Sequence, residues 1–229
     1  MSPHSSRAGF SLIEALIVIA VIATLSAMVL PNFLSSRATA NESAVVSTLK
    51  TISTAQSSFK TRLVVDRDLD GDGEYGYLAE LSGAIAPRGL AVPIEPIILG
   101  PSFRVIQNRS ANKAGYMFRL ALPQADGSAA PEAEMGGEDP AAPSHSESSE
   151  AVWVCYAWPR VAGSTGSRVF VINQAGDVLQ TNNDGDAQAY SGDDNPPPAD
   201  AAFTIPTRIT SRLAVNSEGN DGGFWKALR

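Results

Sequence analysis

Five carboxylates fall within nine residues in Asp66-Arg67-Asp68-Leu69-Asp70-Gly71-Asp72-Gly73-Glu74. Alternating acids on a glycine-tightened turn bring their oxygens toward one point. That suits a hard cation such as calcium, which takes roughly six to eight oxygen ligands. Asp68, Asp70, Asp72 and Gly73 fit the opening of an EF-hand-type loop, D-x-D-x-D-G, and Glu74 follows. The bidentate acid that should close such a loop is missing, since Ala79 holds that place and Glu80 comes one residue late. Calcium held by Asp66, Asp68, Asp70, Asp72 and Glu74 is one expectation, and a solvated acidic turn is the other. Asn182, Asn183, Asp184 and Asp186, with Asp193 and Asp194, make a looser set of the same kind.

A sixth carboxylate is informative for the opposite reason. Glu14 is the one charge in the apolar run Phe10–Leu30. An acid inside hydrocarbon costs about 2.5–3.5 kcal/mol on insertion scales, so its presence points to a role. The natural partner is a positive charge supplied by another molecule. The blander reading is that Glu14, close to one end of the run, snorkels to the headgroups.

The 21 residues of that run would extend about 31 Å as a helix, close to the ~30 Å hydrocarbon core. A secretory signal peptide has a shorter apolar stretch and a small-residue cleavage site, for which Val21-Ile22-Ala23 is a candidate. A plain anchor explains the length but not Glu14. Arg7-Ala8-Gly9-Phe10-Ser11-Leu12-Ile13-Glu14 resembles the prepilin cleavage and methylation motif of type IV pilins and type II secretion pseudopilins. The resemblance implies cleavage by a prepilin peptidase between Gly9 and Phe10, and N-methylation of Phe10. It also implies pairing of Glu14 with the N-terminal ammonium of a neighbouring subunit. In low dielectric such a pair relieves two desolvation penalties, whereas a misregistered neighbour leaves both charges bare. The implied partners are an inner-membrane assembly platform and other copies or kinds of pilin-like subunit. The implied location is the inner membrane, with the head in the periplasm.

The elements that must carry these residues follow from periodicity. Pro31 removes one backbone hydrogen bond without having to end a helix. Beyond it Leu34, Ala38, Val45, Leu49, Ile52, Phe59 and Leu63 form one apolar stripe on a polar helix. The expected organisation is a leader at 1–9, a long helix at 10–62 and a head at 63–229. Within the helix, 10–30 is membrane or filament core and 31–62 is amphipathic. Strands are expected at Phe103–Gln107, Tyr116–Leu122, Val152–Trp158, Arg168–Asn173 and Asp177–Thr181, and a short helix within Gly73–Gly83. Gln174-Ala175-Gly176 reads as a hairpin connection between the last two strands. A helix followed by antiparallel strands makes the fold α+β, as the pilin resemblance also implies. Residues 123–150 are rich in Ala, Pro, Gly, Ser and Glu, have Met135 as their one large apolar side chain, and read as a flexible insertion.

Composition narrows the function classes. The net charge is −7, and removing residues 1–9, with Arg7, takes it to −8. An acidic surface disfavours nucleic acid and anionic lipid, whose phosphates need clustered Lys and Arg. Cys155, alone, excludes an internal disulfide and reads as a buried small hydrophobe. Ser144 and His145 lie in the expected insertion, and no set of convergent acid, base and nucleophile emerges, so the chain reads as a structural subunit and not an enzyme. Within the resemblance, one cysteine favours a type II secretion pseudopilin, because many type IV major pilins carry a C-terminal disulfide loop. A major or minor type IV pilin acting in adhesion, motility or surface binding is the alternative.

Overall fold

The computed structural model describes residues 10–184 and 189–228, except the side chains at 28–31. One helix, α1, runs unbroken over Leu12–Thr61, so the backbone stays helical across position 31. Two compact units divide inside it, Met1–Arg37 and Ala38–Arg229. The second half of α1 thus belongs to the same compact unit as the strands. The reason is that Val45, Leu49, Ile52, Ala55 and Phe59 on α1 belong to the head's own core. Burying side chains of this size contributes about 1.5–3 kcal/mol each for the larger ones. Leu63, expected on the same stripe, instead has φ 51° and is half exposed, because the helix ends before it.

After α1 come α2 (Leu78–Leu81), a single 3-10 turn at Pro101–Phe103, and the strands β1 (Ile106–Gln107), β2 (Ser110–Lys113), β3 (Tyr116–Pro123) and β4 (Ala129–Pro131). Then follow α3 (Ser146–Ala151), β5 (Val154–Pro159), β6 (Val169–Asn173), β7 (Leu179–Thr181), β8 (Ser217–Glu218) and β9 (Phe224–Ala227). Among the described residues every strand pairing is antiparallel, in the order β1-β2-β3-β5-β6-β7-β9-β8, with β4 also paired to β3.

Successive side chains on a strand face opposite ways, and the central strands use both faces. Trp153, Cys155 and Ala157 join Leu49, Ile52 and Phe59 of α1 in one core, with Phe118, Leu120 and Ile172. Val154, Tyr156 and Trp158 enter a second core with Val169, Val171, Phe203 and Trp225. This strand is buried on both faces, and burial pushes the Cys155 thiol up, away from thiolate chemistry. Gly176 has φ 81° and its N–H donates to Asn173 O at 3.0 Å, closing the β6–β7 hairpin as its glycine suggested.

Residues 123–150 depart from expectation. They contribute β4 to the sheet and most of α3, and they bury Ala130, Glu132, Ser144, Ser149 and Glu150. Composition measures the apolar surface a segment brings itself, and β4 needs little, because β3 supplies its hydrogen-bond partners. Polar contacts do the rest. Arg109 reaches Asp139 at 2.9 Å, and the Gln124 side chain donates to Ala129 O at 2.8 Å.

Glu132 in this segment makes stability depend on pH. Its Oε1 accepts from the N–H groups of Ala79 (2.8 Å) and Gly137 (3.2 Å), while its buried Oε2 has no donor. Burial pushes its pKa up to about 8, helped by the charge of Glu80 and opposed by the backbone N–H groups. The folded protein therefore holds a proton that the unfolded chain releases near 4.5, so stability falls as pH rises from about 4.5 to about 8. In EDTA, melting temperatures across that range should fall with rising pH in the native protein. The fall should flatten in Glu132→Gln, whose amide cannot ionise. Parallel curves for the two would remove this assignment.

Candidate functional site

The described chain opens at Phe10, with Gly9 and the rest of the expected leader outside the described residues. Phe10 is exposed, as are Leu12, Ile13, Leu16, Ile17, Ile19, Ile22 and Leu25 on α1. This apolar surface turns every way around the helix, which is long and apolar enough to cross a membrane. The Glu14 carboxylate accepts a hydrogen bond from Ser11 N–H at 3.0 Å. That is the acid's half of an N-terminal capping box, and Ser11-Leu12-Ile13-Glu14 carries its S-x-x-E spacing. Glu14 thus has a local partner within its own chain, besides the ammonium that the motif implies.

The acidic loop divides in two. Asp66, Asp68 and Asp70 place one carboxylate oxygen each within 4.8 Å of one another, and so do Asp70, Asp72 and Glu150. Asp70 is common to both groups. Leu69 (φ 60°) and Gly71 (φ 93°) turn the backbone through the left-handed region, and side chains hold that turn. Gly71 N–H donates to Asp66 Oδ2 at 3.3 Å, and Asp72 N–H donates to Asp70 Oδ1 at 2.8 Å. Gly73, matched to the EF-hand glycine, has another purpose: a Cβ there would stand 2.2 Å from Lys60 O. It lets the loop pass the end of α1.

Glu74 does not belong to the cation group, and that expectation is corrected. Its side chain is fully buried and faces Arg67 (2.9 Å) and Arg88 (3.0 Å). Arg67 turns away from the aspartates that flank it in sequence, toward Glu74 and Glu138. Arg88, itself buried, also binds Glu80 at 3.1 Å, the Ser144 hydroxyl at 2.8 Å and the Tyr75 carbonyl. Burial acts to raise the Glu74 pKa, but hydrogen bonds from Arg67 and Ser146 and the charges of Arg88 and Arg67 outweigh it, leaving it lowered. An acid so compensated has no lone-pair demand for a metal to meet.

Glu150 takes the place that Glu74 vacates. No spacing rule points to it, because it lies far along the chain in the segment read as flexible. Burial pushes its pKa up to about 7, with Asp70, Asp68 and Asp72 adding repulsion and Lys60 opposing. The second acidic set behaves differently. Asn183 exchanges hydrogen bonds with the backbone of Tyr190 (2.8 and 3.0 Å), and Asn182 donates to Asp184 at 3.5 Å. Asp186 lies outside the described residues, and among the described ones Asp184, Asp193 and Asp194 form no cluster suited to a metal.

A further carboxylate, Glu42 on α1, ties the helix to the β5–β6 connection. It accepts from Ser167 N–H at 2.9 Å and pairs with Arg168 at 2.6 Å. Gln56 likewise exchanges two hydrogen bonds with Gly76, at 2.7 and 2.9 Å. The signal for both is that each fills a place in the apolar stripe itself, Glu42 between Ala38 and Val45 and Gln56 between Ile52 and Phe59, at the same spacings of four and three.

The chain matches the family described as the prokaryotic N-terminal methylation motif over residues 4–30. It is similar to the type IV major pilin protein PilA of Myxococcus xanthus (strain DK1622), with 40% identity over 72 residues. That stretch covers 31% of this chain and 32% of the relative. No solved structure matches. With the motif leading into a 50-residue helix and an antiparallel sheet behind it, the chain is similar to type IV pilins in its N-terminal stretch and has the α+β order that this resemblance implies.

Proposed function

We propose that this protein is a non-enzymatic structural subunit, cut after Gly9 by a prepilin peptidase, methylated on Phe10, held in the inner membrane by residues 10–30 and assembled into a filament. The observation that carries this reading is the apolar surface of α1. It is exposed around the whole helix yet holds one acid, Glu14. Such a surface demands lipid before assembly and parallel neighbouring helices after it. The head would then lie in the periplasm. Intact-mass measurement of the membrane-extracted protein tests the processing, with loss of residues 1–9 and gain of one methyl group expected. A chain still starting at Met1, or cut near Ala23, would overturn the reading.

Of the two filament systems, the type IV pilus is the better supported, because a 40%-identical stretch comes from a type IV major pilin. The secretion pseudopilus remains the second reading, favoured by the lack of a partner for Cys155, which leaves no C-terminal disulfide loop. Deleting the gene should abolish surface filaments while leaving protein secretion intact. The reverse pattern would select the pseudopilus.

A further inference from the structure

We propose that the loop at residues 66–72 and the end of α3 form a calcium site, with Asp70, Asp72 and Glu150 as its central ligands and Asp66 and Asp68 completing the oxygen shell. The aspartates alone would be an ordinary acidic turn. Glu150 makes the difference: it is 8% exposed, its carboxylate comes within 4.8 Å of those of Asp70 and Asp72, and its buried Oε1 has no hydrogen-bond donor. In the group of Asp66, Asp68 and Asp70, Asp66 Oδ1 is also buried without a donor. A lone pair left bare at a site of like charge is costly on two counts, and a cation relieves both.

The fold holds Glu150 there. Tyr75 N–H donates to Ser149 O at 2.9 Å, and Lys60 Nζ donates to Glu150 O at 2.7 Å. These bonds fix the backbone on both sides of the Glu150 side chain, and Glu74 N–H bonds Val65 O at 2.8 Å across the base of the loop. The surrounding cations do not do the neutralising. Arg67 and Arg88 are committed to Glu74, Glu80 and Glu138, and Lys60 is drawn to a carbonyl and lies over the Tyr75 ring.

The donor set selects the ion. Every donor is a carboxylate oxygen, which suits a hard cation. Cys155 is buried in the core and His145 is hydrogen-bonded to Ser148, so no soft ligand joins the cluster. Carboxylates borne on a turn and a helix end offer the irregular, high-number coordination calcium accepts, whereas magnesium requires a near-octahedral shell. Bound there, calcium would clasp residues 146–151 to the loop that follows α1. The clasp is independent of filament assembly, so binding and unfolding measurements on the full chain in detergent test it separately.

Calorimetric titration should show calcium binding, and millimolar calcium should raise the melting temperature and slow proteolysis after Glu147. EDTA should reverse both effects. Glu150→Gln should weaken calcium binding by about tenfold or more, since affinity follows the count of charged ligands. It should also raise the melting temperature in EDTA, because it removes the repulsion. Asp72→Asn should weaken binding in the same way, whereas Glu147→Gln, an equal charge change on the exposed side of α3, should not. An equal shift from magnesium or from monovalent salt of matched ionic strength would mean screening alone and overturn the site. So would native-like calcium binding in Glu150→Gln.

Discussion

Replacing Arg88 with alanine should lower the melting temperature by about 10 °C, the largest single loss of stability expected in the head. Arg88 is 5% exposed and sits between two buried carboxylates, Glu74 and Glu80. Removing one partner of a buried ion pair costs about 3–5 kcal/mol because the other charge stays buried without compensation. Here Glu80 loses its ion-pair partner, Glu74 is left with the more exposed Arg67 alone, and the hydroxyl of Ser144 and the carbonyl of Tyr75 lose a donor. In a domain of this size each kcal/mol moves the midpoint by about 2–4 °C. Arg67→Ala should cost less than half as much, since its side chain is 27% exposed and Glu74 keeps Arg88. The comparison is made by thermal unfolding in detergent at neutral pH. Equal losses for the two variants would show that the network is not organised around Arg88. Acid should reproduce part of the effect. The Glu74 pKa is lowered in the fold, so its contribution is present above the ordinary carboxylate value and is lost as pH falls below it.

Glu14→Ala should leave processing and membrane insertion intact while reducing incorporation into filaments by about tenfold or more, the consequence of leaving an ammonium unpaired in low dielectric. The variant alone does not separate two roles, because Glu14 also accepts from Ser11 N–H. Glu14→Gln separates them. Its amide oxygen still caps the helix start, and the loss of such a cap costs only about 1 kcal/mol in any case. It carries no charge for a neighbour's Phe10 ammonium. Sheared-filament yields from the two variants should therefore be equally low. Near-native yield from Glu14→Gln would assign the carboxylate to capping and remove the ammonium pairing.

The parts of the fold legible in the sequence were those whose causes are local. The apolar run, α2 and the strands β3, β5, β6 and β7 each announced themselves by period, turn residue or bulk. The strands β2, β4, β8 and β9 did not. Ser110–Lys113 and Ala129–Pro131 have little β-propensity of their own and are strands because β3 offers them an edge. Trp225 is buried in the second core. Its strand, β9, exists through pairing with β7 and β8.

The candidate sites divide the same way. Sequence by itself determined the processing motif, the position of Glu14 and the four aspartates of the loop, because each depends on residues close together in the chain. Tertiary structure decided which acids are free to bind anything. It withdrew Glu74 by burying it against Arg67 and Arg88 and brought in Glu150 from α3. It also joined the second half of α1 to the compact unit of the strands, inside a helix whose periodicity shows no break there. The physical reason is common to all three. What a side chain does is set by the charges and burial around it, and those neighbours are chosen by the fold and not by the chain order.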